Sequence, residues 1–120
     1  MTAAAASPLL DDLPFPERFE DEAALEDYLA TPSRDLVRDM ARVDGDLLIL
    51  GVGGKMGPTL ARLARNAMPR ERRVIAVARF SEAGVRESLQ AHGIETISCD
   101  LMDREAVARL PRCANVVFMA

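Results

Sequence analysis

Aromatic side chains are scarce in this 120-residue sequence, which has no tryptophan, one tyrosine and four phenylalanines. Because 49% of its residues are nonetheless hydrophobic, we expect a core built from aliphatic side chains. A chain of this length can bury the core of one domain and is too short for two.

The sequence also lacks the marks of secreted, metal-binding and membrane proteins. Its two cysteines, Cys99 and Cys113, are too few for a disulfide framework and have no metal-ligand spacing. No run reaches the roughly 18 apolar residues that a membrane-spanning helix needs. Residues 1–7 have neither the basic flank nor the apolar core of a secretory signal. We therefore expect a cytoplasmic protein with reduced thiols, no metal and no membrane partner.

Positive charge is not arranged for nucleic acid, since there is no basic run and no interleaving of basic with aromatic residues. The charges are nevertheless divided unevenly along the chain: residues 1–45 have a net charge of −7 and residues 46–120 a net charge of +3. The positive excess falls on the segment with a glycine-rich candidate phosphate loop, where it favours an anionic ligand.

The first 45 residues predict an arm followed by a helical extension. Residues 1–20 contain three prolines and indicate an extended arm. Asp21 predicts the cap of a helix over Glu22–Ala30, and Thr31 before Pro32 predicts the start of a second helix. The apolar face of that second helix consists of Leu36, Val37, Met40 and Val43. The alternative is a polar leader with only nascent helices.

From residue 46 the sequence alternates between apolar runs and helical patterns. The candidate strands cover residues 47–50, 74–78, 94–98 and 115–120. Ser81 and Asp103 predict the caps of the second and third intervening helices, and Gly93 the end of the second. This β-α-β-α-β-α-β order predicts a parallel sheet, and continuous apolar runs predict strands buried on both faces.

We therefore expect a Rossmann-like doubly wound α/β domain over residues 46–120, preceded by the extension at 1–45. A doubly wound sheet usually has about six strands, whereas this sequence supplies four. We expect the domain to be truncated after strand 4, as the first half of something longer. Residues 116–119 would then lie at an open sheet edge with incomplete cover.

A glycine-rich loop joins the first predicted strand to the first predicted helix of this domain. Its glycines are expected to allow a sharp turn, a close approach of backbone to pyrophosphate, and tight helix–strand packing. Pro58 suits the first helical position. Glycines recur as Gly-x-x-Gly-x-x-Gly, which differs from a Walker-type phosphate loop. The predicted cofactor contacts here are Gly51, Gly53, Gly54, Lys55, Met56 and Gly57.

Two alternatives stay open for this loop. Lys55 is the only lysine in the chain. It is either a phosphate contact or an exposed side chain with no role. The whole loop could also be a glycine-rich turn that binds no ligand.

With these motifs, residues 46–120 resemble the short-chain dehydrogenase/reductase superfamily, especially its extended NAD-dependent epimerase/dehydratase branch. The resemblance implies that the glycine loop binds the pyrophosphate of NAD(P). It also implies that Asp100-Leu101-Met102-Asp103 is the family's aspartate motif after the third strand, whose Asp100 and Leu101 would contact the adenine ring. Val116–Ala120 is similar to the start of the family's fourth strand.

The end of the second strand distinguishes NAD from NADP in such folds. An acidic residue there binds the ribose 2′-hydroxyl of NAD, whereas an arginine accommodates the 2′-phosphate of NADP. Arg79 has this position, and Ser81 can add a hydroxyl. We therefore predict a dinucleotide cofactor with a preference for NADP. The alternative is that Arg79 is a solvated charge at a strand end.

The resemblance does not extend to the catalytic residues. The family uses a Tyr-x-x-x-Lys pair, but Tyr28 precedes the loop and has Pro32 four residues later, and no other tyrosine is present. We therefore predict no catalytic residue in this chain. We interpret it as the inactive cofactor half of an NAD(P)-dependent oxidoreductase. The alternatives are a non-catalytic nucleotide-binding module and, less favoured, an enzyme similar to dihydrodipicolinate reductase, whose loop also resembles Gly-Val-Gly-Gly-Lys-Met-Gly.

Overall fold

The computed structural model describes residues 8–120, so the first part of the predicted arm lies outside the described residues. Four parallel strands form one sheet in the order β3-β2-β1-β4. The strands are β1 (Leu47–Leu50), β2 (Val74–Ala78), β3 (Glu95–Ser98) and β4 (Asn115–Phe118). The helices are α1 (Glu22–Leu29), α2 (Arg34–Ala41), α3 (Gly57–Ala67), α4 (Val85–Ala91) and α5 (Arg104–Ala108), with a 3₁₀ turn at Leu10–Asp12. The predicted Rossmann-like α/β fold class is confirmed.

Helices cover both faces of the sheet. Alternate residues of β1 and β2 point to opposite sides, so each face has apolar side chains that a helix can bury. On one face Ile49 and Ala76 pack with residues of α3 and α4, among them Ala61 and Leu89. On the other face Leu48, Ile75, Val77 and Cys99 form a second cluster, against which α5 and the turn after it pack. This two-sided cover explains why the two central strands are continuously apolar.

The outer strands correct the prediction that all four strands are buried on both faces. β3 is partly exposed along its length, and β4 alternates between half-buried and exposed residues. Val117 packs against the first cluster, whereas Val116 is 54% exposed and Phe118 is 69% exposed. The reason is that α5 has only five residues, too few to cover the second face as far as β4. The expected open edge with incomplete cover is therefore present.

The order of the strands places a topological switch between β1 and β4. The chain passes from β1 outward to β2 and β3, and then crosses the second face to β4 on the other side of β1. In open α/β sheets, ligands bind in the crevice at the carboxyl ends of the strands, next to such a switch. The fold thus identifies the end of the sheet where a site is expected.

The helical extension follows the prediction at α1 and departs from it at α2. The Asp21 carboxylate accepts a hydrogen bond from the Ala24 N–H at 2.8 Å and begins α1 as expected. α2 begins after Ser33, whose hydroxyl accepts from the Leu36 N–H, rather than at Thr31. The Thr31 hydroxyl instead donates to the Asp27 carbonyl of α1 at 2.7 Å, so Thr31 belongs to the end of α1.

Of the other residues predicted to start or end helices, Asp103 and Gly93 do so and Ser81 does not. The Asp103 carboxylate accepts from the N–H groups at the start of α5, as predicted. Ser81 does not cap α4, which begins after Gly84 in a left-handed turn and has no side-chain cap. Gly93 ends α4 with φ +79° and lets the Ile94 N–H donate to the Leu89 carbonyl, as expected of a C-terminal glycine.

The extension packs against α3 through polar contacts at the helix ends. The Asn66 amide donates to the Ala30 carbonyl at 2.8 Å, and Arg62 pairs with Asp27 at 2.8 Å. Arg72 donates to the carbonyls of Met40 and Ala41 at the end of α2 and to that of Val43 just after it. Carbonyl groups at a helix end lack the N–H partner four residues later, and these donors bind such groups. The alternative of a polar leader with nascent helices therefore does not describe residues 22–41.

The amino ends of β2 and β3 are joined by a two-pronged ion pair. Arg73 donates to Glu95 through Nε at 2.6 Å and through a terminal nitrogen at 3.0 Å. This hydrogen bonding lowers the pKa of the Glu95 carboxyl, with a smaller contribution from the charge of Arg73. A lowered pKa in the folded state stabilises the fold above the unfolded-state pKa, and that stability is lost as the pH falls through the folded-state value.

We predict that Glu95→Gln lowers the midpoint of thermal unfolding by about 2 °C at neutral pH, because the exposed pair stabilises only weakly. The difference from the wild type should shrink as the pH falls through the lowered pKa of Glu95. Circular dichroism melts between neutral and acid pH measure it. Glu71→Gln, on an exposed turn, is the matched control, and a gap that persists in acid would contradict the account.

Candidate functional site

A cavity of about 570 Å³ lies at the carboxyl ends of the strands, next to the switch between β1 and β4. Segments that are far apart in the sequence meet there: the loop after β1, the turns after β2 and β3, and the end of β4. Of the predicted cofactor residues, it brings together Gly51, Gly53, Gly54, Arg79, Ser81, Asp100 and Leu101.

The remaining predicted residues lie elsewhere around the loop. Lys55 lines a neighbouring cavity of about 670 Å³, together with Glu22 and Glu26 of α1. Met56 is 74% exposed, and Gly57 is buried. The two cavities share Gly53, Gly54, Glu82 and Val85, so the loop and the chain leading into α4 form the wall between them.

Gly57 and Gly51 are glycines because the fold requires them. A Cβ atom on Gly57 would lie 2.0 Å from the carbonyl oxygen of Val52, so α3 reaches the loop only without a side chain there. Gly51 has φ +83°, and its Cβ would meet the backbone nitrogen of Ala120 at 2.6 Å. These two residues give the tight helix–strand packing and the sharp turn expected from the sequence.

Gly53 and Gly54 differ, because no backbone angle and no neighbour among residues 8–120 requires them to be glycines. Neither residue has a positive φ. A Cβ on Gly54 would have no heavy atom within 4 Å, and one on Gly53 would only touch the Ala78 methyl at 3.5 Å. Their missing side chains leave bare backbone open at the cavity wall, where a ligand can approach closely.

The start of α3 adjoins this bare backbone. Met56 precedes the helix and provides no side-chain cap, and Pro58 is the second helical residue rather than the first. The first N–H groups of an α-helix have no partner within the helix, and the helix dipole adds partial positive charge at that end. The loop and the helix start together offer the donors that suit an anionic group.

The turn after β2 contributes the positive charge of the main cavity. Arg79 and Ser81 are both exposed and both line the cavity. Arg79 forms no ion pair with any of residues 8–120. Glu82 also lines the cavity and is its nearest acid along the chain, so this wall combines a free guanidinium, a hydroxyl and one carboxylate.

The turn after β3 contributes a carboxylate and an apolar side chain. The Cys99 N–H donates to the Ala78 carbonyl at 2.9 Å, which extends the sheet up to Asp100. One oxygen of Asp100 accepts from the Met102 N–H at 2.9 Å and so shapes the turn. Leu101 is half-buried and packs against the second core cluster. Asp100 therefore orders this turn as well as lining the cavity.

Other cavity residues are not among those predicted from the sequence. They are Ala78, Phe80, Glu82, Val85, Cys99, Met102, Phe118 and Ala120. Most of them share one feature that the sequence does show, which is that they end a strand or closely follow one. The rule that ligands bind at carboxyl ends would have identified those residues.

The cavity contains binding groups but no acid–base pair of the family type. Among residues 8–120, its lining includes no tyrosine, lysine or histidine. Tyr28 packs its ring on Phe19, with the ring centroids 5.3 Å apart. His92 ends α4, where its Nδ1 lies 2.7 Å from the Ser88 carbonyl oxygen. Within the described chain no group of three or more His, Cys, Asp or Glu side chains could hold a metal ion.

We predict that Gly57→Ala is strongly destabilising and that Gly54→Ala leaves the stability almost unchanged. Gly57→Ala should lower the free energy of unfolding by about 3 kcal/mol, because its methyl group overlaps the Val52 backbone. Gly54→Ala should change it by less than about 0.5 kcal/mol, because the space is open. Urea unfolding followed by circular dichroism measures both, and equal losses would contradict the assignment of the two glycines.

Comparison with known proteins identifies no similar protein. No protein-family model, curated protein or solved structure matches this chain. Between residues 8 and 120, no helix has both the length and the apolar character needed to cross a membrane.

Proposed function

We propose that this chain binds NAD(P), with a preference for NADP, in the cavity at the carboxyl ends of its strands. The observation that carries the proposal is the pair of glycines at the cavity wall, Gly53 and Gly54. The fold accepts a side chain at both, so packing does not account for glycine there, whereas the close approach of a ligand would. Their position beside the topological switch matches the place where open α/β sheets bind nucleotides.

The loop and the start of α3 would hold the pyrophosphate. Bare backbone at Gly53 and Gly54 permits the close approach that two linked phosphates need. The uncapped helix start supplies N–H donors and a favourable dipole. Lys55, in the adjoining cavity, adds a positive charge to the same loop.

The turn after β2 would hold the adenosine ribose. Arg79 forms no ion pair within residues 8–120, so its guanidinium is free to bind a ribose 2′-phosphate through two parallel hydrogen bonds. Ser81 adds a hydroxyl on the same wall. These two groups support NADP, while Glu82, the acidic side chain of the same turn, would favour a 2′-hydroxyl.

The turn after β3 would hold the adenine ring, with Leu101 as an apolar contact and Asp100 as a polar one. When bound, the cofactor supplies a hydride donor or acceptor at its nicotinamide ring. The residues of this chain bind and orient that cofactor. We propose that they do so as the cofactor half of an NAD-dependent epimerase/dehydratase-like oxidoreductase.

The lining of the cavity favours a second candidate, a nucleotide-binding module without catalysis. In the part of the chain that the structure describes, the lining contains no tyrosine, lysine or histidine that could act as the family's acid–base pair. The two candidates share the same cofactor site. They differ in whether NADPH consumption with carbonyl substrates accompanies binding, which spectrophotometry at the nicotinamide absorbance band measures.

We predict that the chain binds NADPH more tightly than NADH, and that Arg79→Gln weakens NADPH binding about tenfold while leaving NADH binding nearly unchanged. The reason is that only NADPH has the 2′-phosphate. Isothermal titration calorimetry measures both affinities. Arg104→Gln, an exposed arginine on α5, is the control. Absence of binding to either dinucleotide would sink the proposal, and equal losses for both would remove the preference for NADP.

We further predict that Gly54→Ala weakens NADPH and NADH alike by about tenfold, because the added methyl group occupies the space of the pyrophosphate that both share. The same variant keeps its stability, so loss of affinity cannot be ascribed to unfolding. Titration of the folded variant by nicotinamide fluorescence is the measurement. Wild-type affinity would show that the loop does not contact the ligand.

A further inference from the structure

Phe80 has an unusual backbone conformation at the wall of the cavity. Its φ is +53°, and no other non-glycine residue among residues 8–120 has a positive φ. Bulky side chains avoid this left-handed region because Cβ crowds the backbone. Such strain persists only where the surroundings hold it, and it concentrates at functional sites.

Two kinds of contact hold Phe80 in place. Its ring packs against the core cluster beneath α3 and α4. The guanidinium of Arg86 lies over the ring, with its central carbon 5.4 Å from the centroid, within the range of a cation–π interaction.

Arg86 is itself fixed from the neighbouring strand. Its Nε donates to the Thr96 hydroxyl oxygen of β3 at 3.0 Å, and the Gln90 amide donates to the same oxygen at 2.9 Å. The ring of Phe80 is therefore clamped between the core and a side chain that is anchored on β3.

The left-handed residue determines where its two neighbours go. In a continuing strand, successive side chains alternate between opposite faces. At Phe80 the chain leaves β2 and turns, and Arg79, Phe80 and Ser81 all line the same cavity. Arg79 and Ser81 are exposed there, while the ring between them is half-buried. The conformation of Phe80 thus determines how the Arg79 guanidinium and the Ser81 hydroxyl are placed relative to each other.

We propose that Phe80, clamped by Arg86, is a positioning residue that sets the preference for NADP over NAD. By fixing the backbone of the turn, it holds Arg79 and Ser81 at the wall of one cavity, where both side chains can bind a phosphate monoester on the ribose. A preformed turn avoids the entropic cost of ordering that backbone when the ligand binds. The inference rests on the proposed dinucleotide function and assigns the origin of its selectivity.

The test compares the affinities of the full chain for NADPH and for NADH in three variants. Phe80→Gly releases the strain and removes the ring. Arg86→Gln removes the cation but keeps a donor for Thr96, and so tests the clamp with the least risk to folding. Phe80→Tyr retains the ring and serves as the conservative rescue. Glu87→Gln, exposed on the same helix, is the matched control.

We expect Phe80→Gly to lower the ratio of NADPH to NADH affinity about tenfold and Arg86→Gln to lower it about threefold, because a mobile turn loses mainly the charged hydrogen bonds to the 2′-phosphate. Phe80→Tyr and the control should keep the wild-type ratio. Thermal melts of each variant show that the measured species are folded.

Two results would overturn the inference, and they are distinguishable. If the wild type binds NADPH but both affinities fall together in Phe80→Gly and Arg86→Gln, or neither falls, then Phe80 has only a structural role. If the wild type binds neither dinucleotide, the proposed function itself fails and the inference fails with it.

Discussion

The close approach of helix α3 to the chain that leaves β1 is the contact on which the rest of the site depends. Only a glycine at position 57 lets the helix begin against the Val52 backbone. That contact brings the uncapped start of α3 beside the bare backbone of Gly53 and Gly54. Because partial positive charge and open backbone then coincide at the carboxyl ends of the strands, an anionic ligand is favoured there.

The charged side chains at the two ends of the sheet differ in whether they have partners. At the amino end, the Arg73 guanidinium binds Glu95 on β3, and the Arg73 backbone N–H donates to the carboxylate of Asp46 at 2.7 Å. Polar groups there hold the strands together. At the carboxyl end, Arg79 has no such partner within residues 8–120 and lines a cavity. This division explains why loss of the pair between Arg73 and Glu95 is expected to change stability, whereas loss of the Arg79 charge is expected to change binding.

Patterns that depend on a few neighbouring residues were predicted well. The apolar runs gave β1 and β2 within a residue, and Asp21 and Asp103 start their helices as expected. Ser81 lines the cavity as predicted, but the sequence could not show that α4 begins after Gly84 rather than at Ser81. Nor could it show that Phe80 is left-handed, since that conformation depends on packing against α4 and β3. Nor does periodicity reveal that α5 is too short to cover β4.

The most direct test of the central claim is a ¹H–¹⁵N NMR titration of the full chain with NADPH. The account predicts that the largest shift changes fall on the amides of residues 53–57, 79–82 and 99–102, which surround the cavity and its loop. The chemical shifts of the amides near Arg73 and Glu95, at the opposite end of the sheet, should remain unchanged. Shifts spread evenly over the surface, or confined to the exposed edge of β4, would contradict it.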